Sequence, residues 1–207
     1  MSYIEYQKYK GWVSISSIAL CVVVQPVILP ILPIKQASAF IGVQNLKFSS
    51  LTQTQKATFP KAIKFNEFSL NLTDDILTQI YKKSDVSKQS QNKETEAWKA
   101  IDSNGKLLGY FLVDKVYGKH ELITYSVGID VTGKVQHIEI LDYKETYGGQ
   151  VNDDEWRQQF IGKKFGDKLE LDQDIKNISG ATLSCKHITN GVKRMLTLYE
   201  VLLRDKA

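Results

Sequence analysis

The chain has 207 residues, is 43% hydrophobic and 24% charged, and carries a formal net charge of +4. This balance excludes global disorder, and lysines spread among acids rather than clustered exclude a nucleic-acid binder. The length allows one domain of ordinary size plus a short extra segment.

The first 39 residues differ from the rest. Lys8 and Lys10 precede an apolar stretch from Trp12 to Ile34 that contains Pro26, Pro30 and Pro33. It is followed by Ala37-Ser38-Ala39, an A-x-A pattern with small residues where a signal peptidase needs them. Residues 1–39 therefore read as an export signal or, alternatively, as a retained membrane anchor. The run "WVSISSIALCVVV" is too short to span a bilayer comfortably, and the prolines after it disfavour a straight 20-residue helix. Either reading places the remaining chain beyond the cytoplasmic membrane, in the periplasm or anchored on the outer face. That remainder holds one cysteine, Cys185, so it makes no internal disulfide and rests on its hydrophobic core.

Residues 40–94 form a mixed helical and loop extension. Thr73-Asp74-Asp75 caps a predicted helix over 75–83, with Ile76, Ile80 and Tyr81 on one face. The polar run 83–93 reads as a loop. From residue 95 the pattern changes to strands: "EAWKAID", "KLLGYFLVDKVYG", "HELITYSVGID" and "KVQHIEILDYKE", rich in Val, Ile, Tyr and Phe and separated by Gly or Asn turns. This is an antiparallel β-meander that needs helices on one face, so the fold class is α+β. Asn152 with Glu155 resembles a capping box for a helix through Phe160, which Gly162 stops. Trp156 and Phe160 share a face of it. A short strand over 168–171 follows. The last helix carries Ile188, Val192, Met195, Leu196, Tyr199, Leu202 and Leu203 at helical spacing, a core stripe.

Two short segments carry chemistry. Ser179-Gly180-Ala181-Thr182 precedes the last helix. A helix N-terminus offers unpaired N–H groups and partial positive charge, and small residues before it leave room for a phosphate. Thr182 and Ser184 supply hydroxyls and Lys186 a positive charge; the plainer alternative is a helix cap by Thr182 or Ser184. The second segment, Glu145-Thr146-Tyr147-Gly148-Gly149, delivers an acid, a hydroxyl and an aromatic, then two glycines that allow close backbone approach. It reads either as a loop turn or as a seat for a flat ligand. Cys185 is either a thiolate activated by the helix N-terminus or a small packed residue. His120, His137 and His187 are too scattered for a metal site.

"ETYGG", then a tryptophan with "QF" and "GK", then "SGAT" before an amphipathic helix, resemble the FMN-binding domain of exported subunits of Rnf- and Nqr-type electron-transport complexes. The resemblance covers about residues 95–205. It implies an FMN cofactor whose phosphate is held by Ser179, Gly180, Ala181 and Thr182, with Thr182 as the phosphoester anchor loaded by a separate flavin transferase. It also implies that Glu145, Thr146, Gly148 and Gly149 line the isoalloxazine side, with Tyr147 or Trp156 stacking on the ring. Covalent members carry aspartate three residues before the SGAT serine. Here that position is Lys176, suited to pairing with the phosphate of a non-covalently held FMN. Tyr147 stands where the family has proline. The implied function is a redox carrier rather than a stand-alone oxidoreductase, relaying electrons between a membrane donor and an exported acceptor. The alternative is a non-redox binding or sensing module of a membrane complex that kept the fold without flavin.

Overall fold

The computed structural model of the chain describes residues 49–86 and 94–206. The export signal or anchor expected over 1–39, and most of the polar loop expected over 83–93, lie outside them. No helix among the described residues is long and apolar enough to cross a membrane.

Four strands follow one another as the turn residues predict. They are β2 (Glu96–Ile101), β3 (Leu107–Tyr117), β4 (Leu122–Asp130) and β5 (Val135–Tyr143), each antiparallel to the next. The turns are made where the sequence punctuates them. Gly105 and Gly133 take φ of +77° and +82°, and Asp102 and Asp130 accept amide hydrogen bonds two and four residues on. The extension adds a fifth strand: β1 (Lys64–Glu67) pairs with β2, giving the order β1-β2-β3-β4-β5. The fold is α+β, an antiparallel sheet packed against helices.

The expectation of helices on one face is corrected by the structure, because this sheet is covered on both. On one face Tyr110, Leu112, Val127, Ile138 and Ile140 pack under α2 (Asp74–Ser84) and the long α4 (Thr182–Leu198). On the other, Trp98, Phe111 and Val113 pack with Phe59, the residue that ends α1 (Leu51–Thr58). The physical reason lies in β3. Its run Tyr110-Phe111-Leu112-Val113 is buried at every position, and an apolar run without alternation buries both sides of a strand. Gly109 and Gly128 make the second face possible. A Cβ on Gly109 would lie 2.8 Å from the Phe59 ring, and one on Gly128 2.0 Å from Thr58.

α2 is capped by Thr73 as predicted, its hydroxyl accepting from Ile76 N, and the helix starts at Asp74, one residue before the predicted start. The helix expected from Asn152 is shorter and is entered differently. A 3₁₀ turn (Gly149–Asn152) leads into α3 (Asp154–Gln158), and the residue at the N-cap is Asp153, with no side-chain cap bond. The strand expected over 168–171 is a loop, with only Leu171 bridging Ile175. Leu169 sits at φ +47°, which a strand does not accommodate. The apolar stripe of α4 and of the π-helical turn that continues it (Tyr199–Leu203) is core as expected: Ile188, Val192, Met195, Leu196, Tyr199 and Leu203 are all buried, while Leu202 is half-buried.

Candidate functional site

The segment 144–149 and the segment 177–184 arrive from different elements and meet. β5 ends at Tyr143, and the chain crosses to Gly148, which takes φ +87°. A Cβ there would lie 3.0 Å from Ala181 Cβ and 2.7 Å from the Tyr143 hydroxyl, so the two loops touch through a glycine and an alanine. Tyr143 donates to Tyr147 O at 2.5 Å and lies 3.2 Å from Ser184 Oγ in the first turn of α4.

α4 begins without a side-chain cap: Ala181 is the N-cap residue, and neither Thr182 nor Ser184 caps it. Among the described residues the amides of Thr182, Leu183 and Ser184 have no protein acceptor, and Thr182 is exposed at the first helical position. Free amides, the positive end of a 17-residue helix and Lys186 one turn on are features that could hold an anion. Gly180, at φ +84°, turns the chain into the helix with open space beside its Cα.

The expected site residues divide by placement. Ser179, Gly180, Thr146 and Lys176 are exposed beside this helix end or on the loops leading to it, and Tyr147 is 75% exposed. Ser184 does not place its hydroxyl with that of Thr182. Residues two apart on a helix point to nearly opposite sides, and Ser184 is buried against Tyr143. The Glu145 carboxylate is used by the protein. It accepts from the amides of His120 (2.6 Å) and Glu121 (3.0 Å) and so holds the β3–β4 turn against the loop. Trp156 is buried edge-to-face on Phe160, with its indole N–H donating to Lys176 O at 2.8 Å. It fixes the backbone leading into Ser179 and presents no free ring face. Cys185 is fully buried, and burial pushes its thiol pKa up, so it is a packed residue and not an activated thiolate. Tyr143 was missed by sequence reasoning. As the last apolar residue of a strand it carries only the signal of a core position.

Asp174 supports the segment from behind. Its carboxylate accepts from Lys163 Nζ at 2.8 Å, Glu170 N at 2.8 Å and Leu169 N at 3.1 Å. Burial alone would raise its pKa, but Lys163 and these amides hold it down to about 2. A depressed carboxylate contributes stability above its unfolded value and loses it as pH falls to the folded one. Asp174→Asn is therefore expected to melt below wild type at neutral pH, with the gap closing between about pH 4 and pH 2. Thermal melts across that window check it; a gap independent of pH contradicts it.

Residues 118–197 match the family model described as FMN-binding domain. Over 173 aligned residues the chain is 25% identical to a component of the Na⁺-translocating ferredoxin:NAD⁺ oxidoreductase complex of Acetobacterium woodii, covering 77% of this chain and 79% of that one. A component of the proton-translocating ferredoxin:NAD⁺ oxidoreductase complex of Clostridium ljungdahlii is 29% identical over 118 residues, covering 53% of this chain and 63% of that one. The crystal structure of NqrC from Shewanella oneidensis superposes with a TM-score of 0.47 at 16% identity, over 70% of this chain and 84% of that one. The matched segment runs from the β3–β4 turn through most of α4 and contains both loops of the site. Residues 118–197 of this chain thus match the FMN-binding domain family.

Proposed function

We propose that the chain is an FMN-carrying electron-transfer subunit of a membrane complex of the ferredoxin:NAD⁺ oxidoreductase kind, exported across the cytoplasmic membrane and holding the flavin phosphate at Thr182. The observation that carries this reading is the start of α4: an exposed Thr182 hydroxyl over three amides with no protein acceptor, against a loop whose Gly148 admits close approach. Those amides are left to water or to a ligand, and a phosphate satisfies them with its charge matched to the helix end. When bound, the flavin supplies the redox chemistry, and the protein supplies position and electrostatics. The helix end and Lys186 balance the phosphate charge. Exposed Tyr147 and Leu183 offer apolar surface beside it for the ring. Glu145 acts by fixing the β3–β4 turn, and Trp156 by fixing the approach to Ser179.

Covalent attachment forms a bond from Thr182 Oγ1 to the flavin phosphate as the hydroxyl proton is lost. The pyrophosphate bond of a flavin dinucleotide donor breaks to release a nucleoside monophosphate, and the step requires a flavin transferase as a partner. Lys176 gives the non-covalent form its own support, since its exposed side chain leads the SGAT segment. Expression beside the transferase, followed by denaturing electrophoresis, tests the bond. Wild type is expected to fluoresce as a flavin-bearing band and Thr182→Val to lose that band entirely. The substitution is at an exposed position, so stability changes by no more than about 0.5 kcal/mol. A fluorescent T182V band moves the anchor elsewhere. A dark wild-type band from a yellow native protein assigns the non-covalent form.

A further inference from the structure

We propose that Tyr143 is a positioning residue for the flavin: its hydroxyl sets the gap between the Glu145–Gly149 loop and the helix end that bears Thr182. The inference rests on the functional reading above and adds a residue outside both motifs. Tyr143 is the last residue of β5, where it pairs with Ile123, so its ring starts from the rigid part of the fold. Its hydroxyl reaches two elements at once, the carbonyl of Tyr147 and the Ser184 hydroxyl of α4. The proton roles follow from the partners. A carbonyl only accepts, so the single Tyr143 proton goes to Tyr147 O, and Ser184 donates to Tyr143 Oη. This makes a directed chain from helix to strand end to loop. Gly148 closes the arrangement, because the space a Cβ would need is taken by that same hydroxyl and by Ala181. Both ring and serine are buried, so water does not readily replace the lost partner.

Without the hydroxyl, Tyr147 O and Ser184 Oγ lose their bridge. The loop is then free to lift from Ala181 while the sheet stays intact. Tyr199 provides the comparison. It is also a buried tyrosine, and it donates one bond to a loop carbonyl, Val131 O at 2.8 Å, at another turn. Tyr143→Phe and Tyr199→Phe each delete one hydroxyl bonded to a carbonyl, but only the first deletes it at the site.

The experiment compares wild type, Y143F and Y199F in two forms. In flavin-free protein, amide hydrogen exchange at Val151 and Cys185, whose N–H groups donate to Gly148 O and Ala181 O, is expected to rise about three- to tenfold in Y143F, the factor set by one lost neutral hydrogen bond. Exchange there is expected to be unchanged in Y199F. In flavin-loaded protein, Y143F is expected to change the visible circular dichroism and raise the fluorescence of the flavin, and Y199F to change neither. Unaltered loop exchange together with an unaltered flavin signature in Y143F overturns the proposal. So does an equal response in Y199F, which would mark the effect as general loosening. A wild-type protein that never takes up flavin overturns the functional reading instead. The exchange arm then still decides whether Tyr143 joins loop and helix.

Discussion

Asp114→Ala is expected to lower the stability of the protein by about 3–5 kcal/mol, the cost of leaving one member of a buried ion pair alone. Asp114 lies on the core face of β3 and pairs with Arg194 of α4, and side-chain exposure is 0% for the arginine and 1% for the aspartate. Tyr125 donates to the same carboxylate oxygen at 2.9 Å, and Arg194 also reaches Thr95 Oγ1 at 3.3 Å. Among the described residues Arg194 Nε and Nη1 are buried without a hydrogen-bond partner, so the guanidinium depends heavily on this one carboxylate. Gly191 completes the fit, since a Cβ there would stand 2.3 Å from the Tyr125 hydroxyl. Deleting the carboxylate strands a cation in the core. Replacing both partners together, as Asp114→Leu with Arg194→Met, removes the stranded charge and is expected to cost much less than the single change. Urea unfolding of the single and double variants measures the difference. A D114A loss below about 1 kcal/mol would show that the pair is not held in a dry environment. The pair bears on function because Arg194 is twelve residues along the same helix from Thr182. It pins α4 against β3 and thereby the helix end at the site.

The second large effect is at Gly148. Gly148→Ala forces a Cβ onto φ +87°, at about 1–2 kcal/mol, and drives it against Tyr143 and Ala181, at about 1–3 kcal/mol more. Gly162→Ala is the matched control: its φ is +79°, but nothing lies within 4 Å of the added carbon. It bears the backbone cost alone. Thermal melts of the two variants, with the ratio of flavin to protein absorbance in each, separate strain from crowding. G148A is expected to lose flavin and G162A to keep it. Equal flavin content in the two contradicts the close approach of the loops.

Much of this was legible in the sequence. Thr73 as a cap, the glycine turns and the four-strand meander follow from local chemistry that tertiary contacts leave in place. The two loops of the site were legible as motifs. Their contact was not, because Gly148 and Ala181 are brought together by the register of β5 and the docking of α4. The second covered face was written into Tyr110-Phe111-Leu112-Val113, an apolar run where a half-exposed strand would alternate, but what covers it comes from residues 49–59. Asp114 and Arg194 each interrupt an apolar stripe with a charge, and that they answer one another is visible only once the helix crosses the strand. The Asn152–Glu155 spacing suggested a cap that the chain does not use, since the 3₁₀ turn after Gly148 moves the helix start onto Asp153. Lys176 stands where the family resemblance implies an aspartate. Asp174, two residues before it, is committed to Lys163 and two amides and does not substitute for that residue.

The visible absorption spectrum of the native protein, purified from a host that supplies the flavin transferase, tests the account most directly. A flavin-carrying subunit is expected to be yellow, with one band in the near ultraviolet and one in the blue, both bleached by reduction and restored by oxidation. A colourless protein with neither band would contradict it and leave a domain that kept the fold without the cofactor.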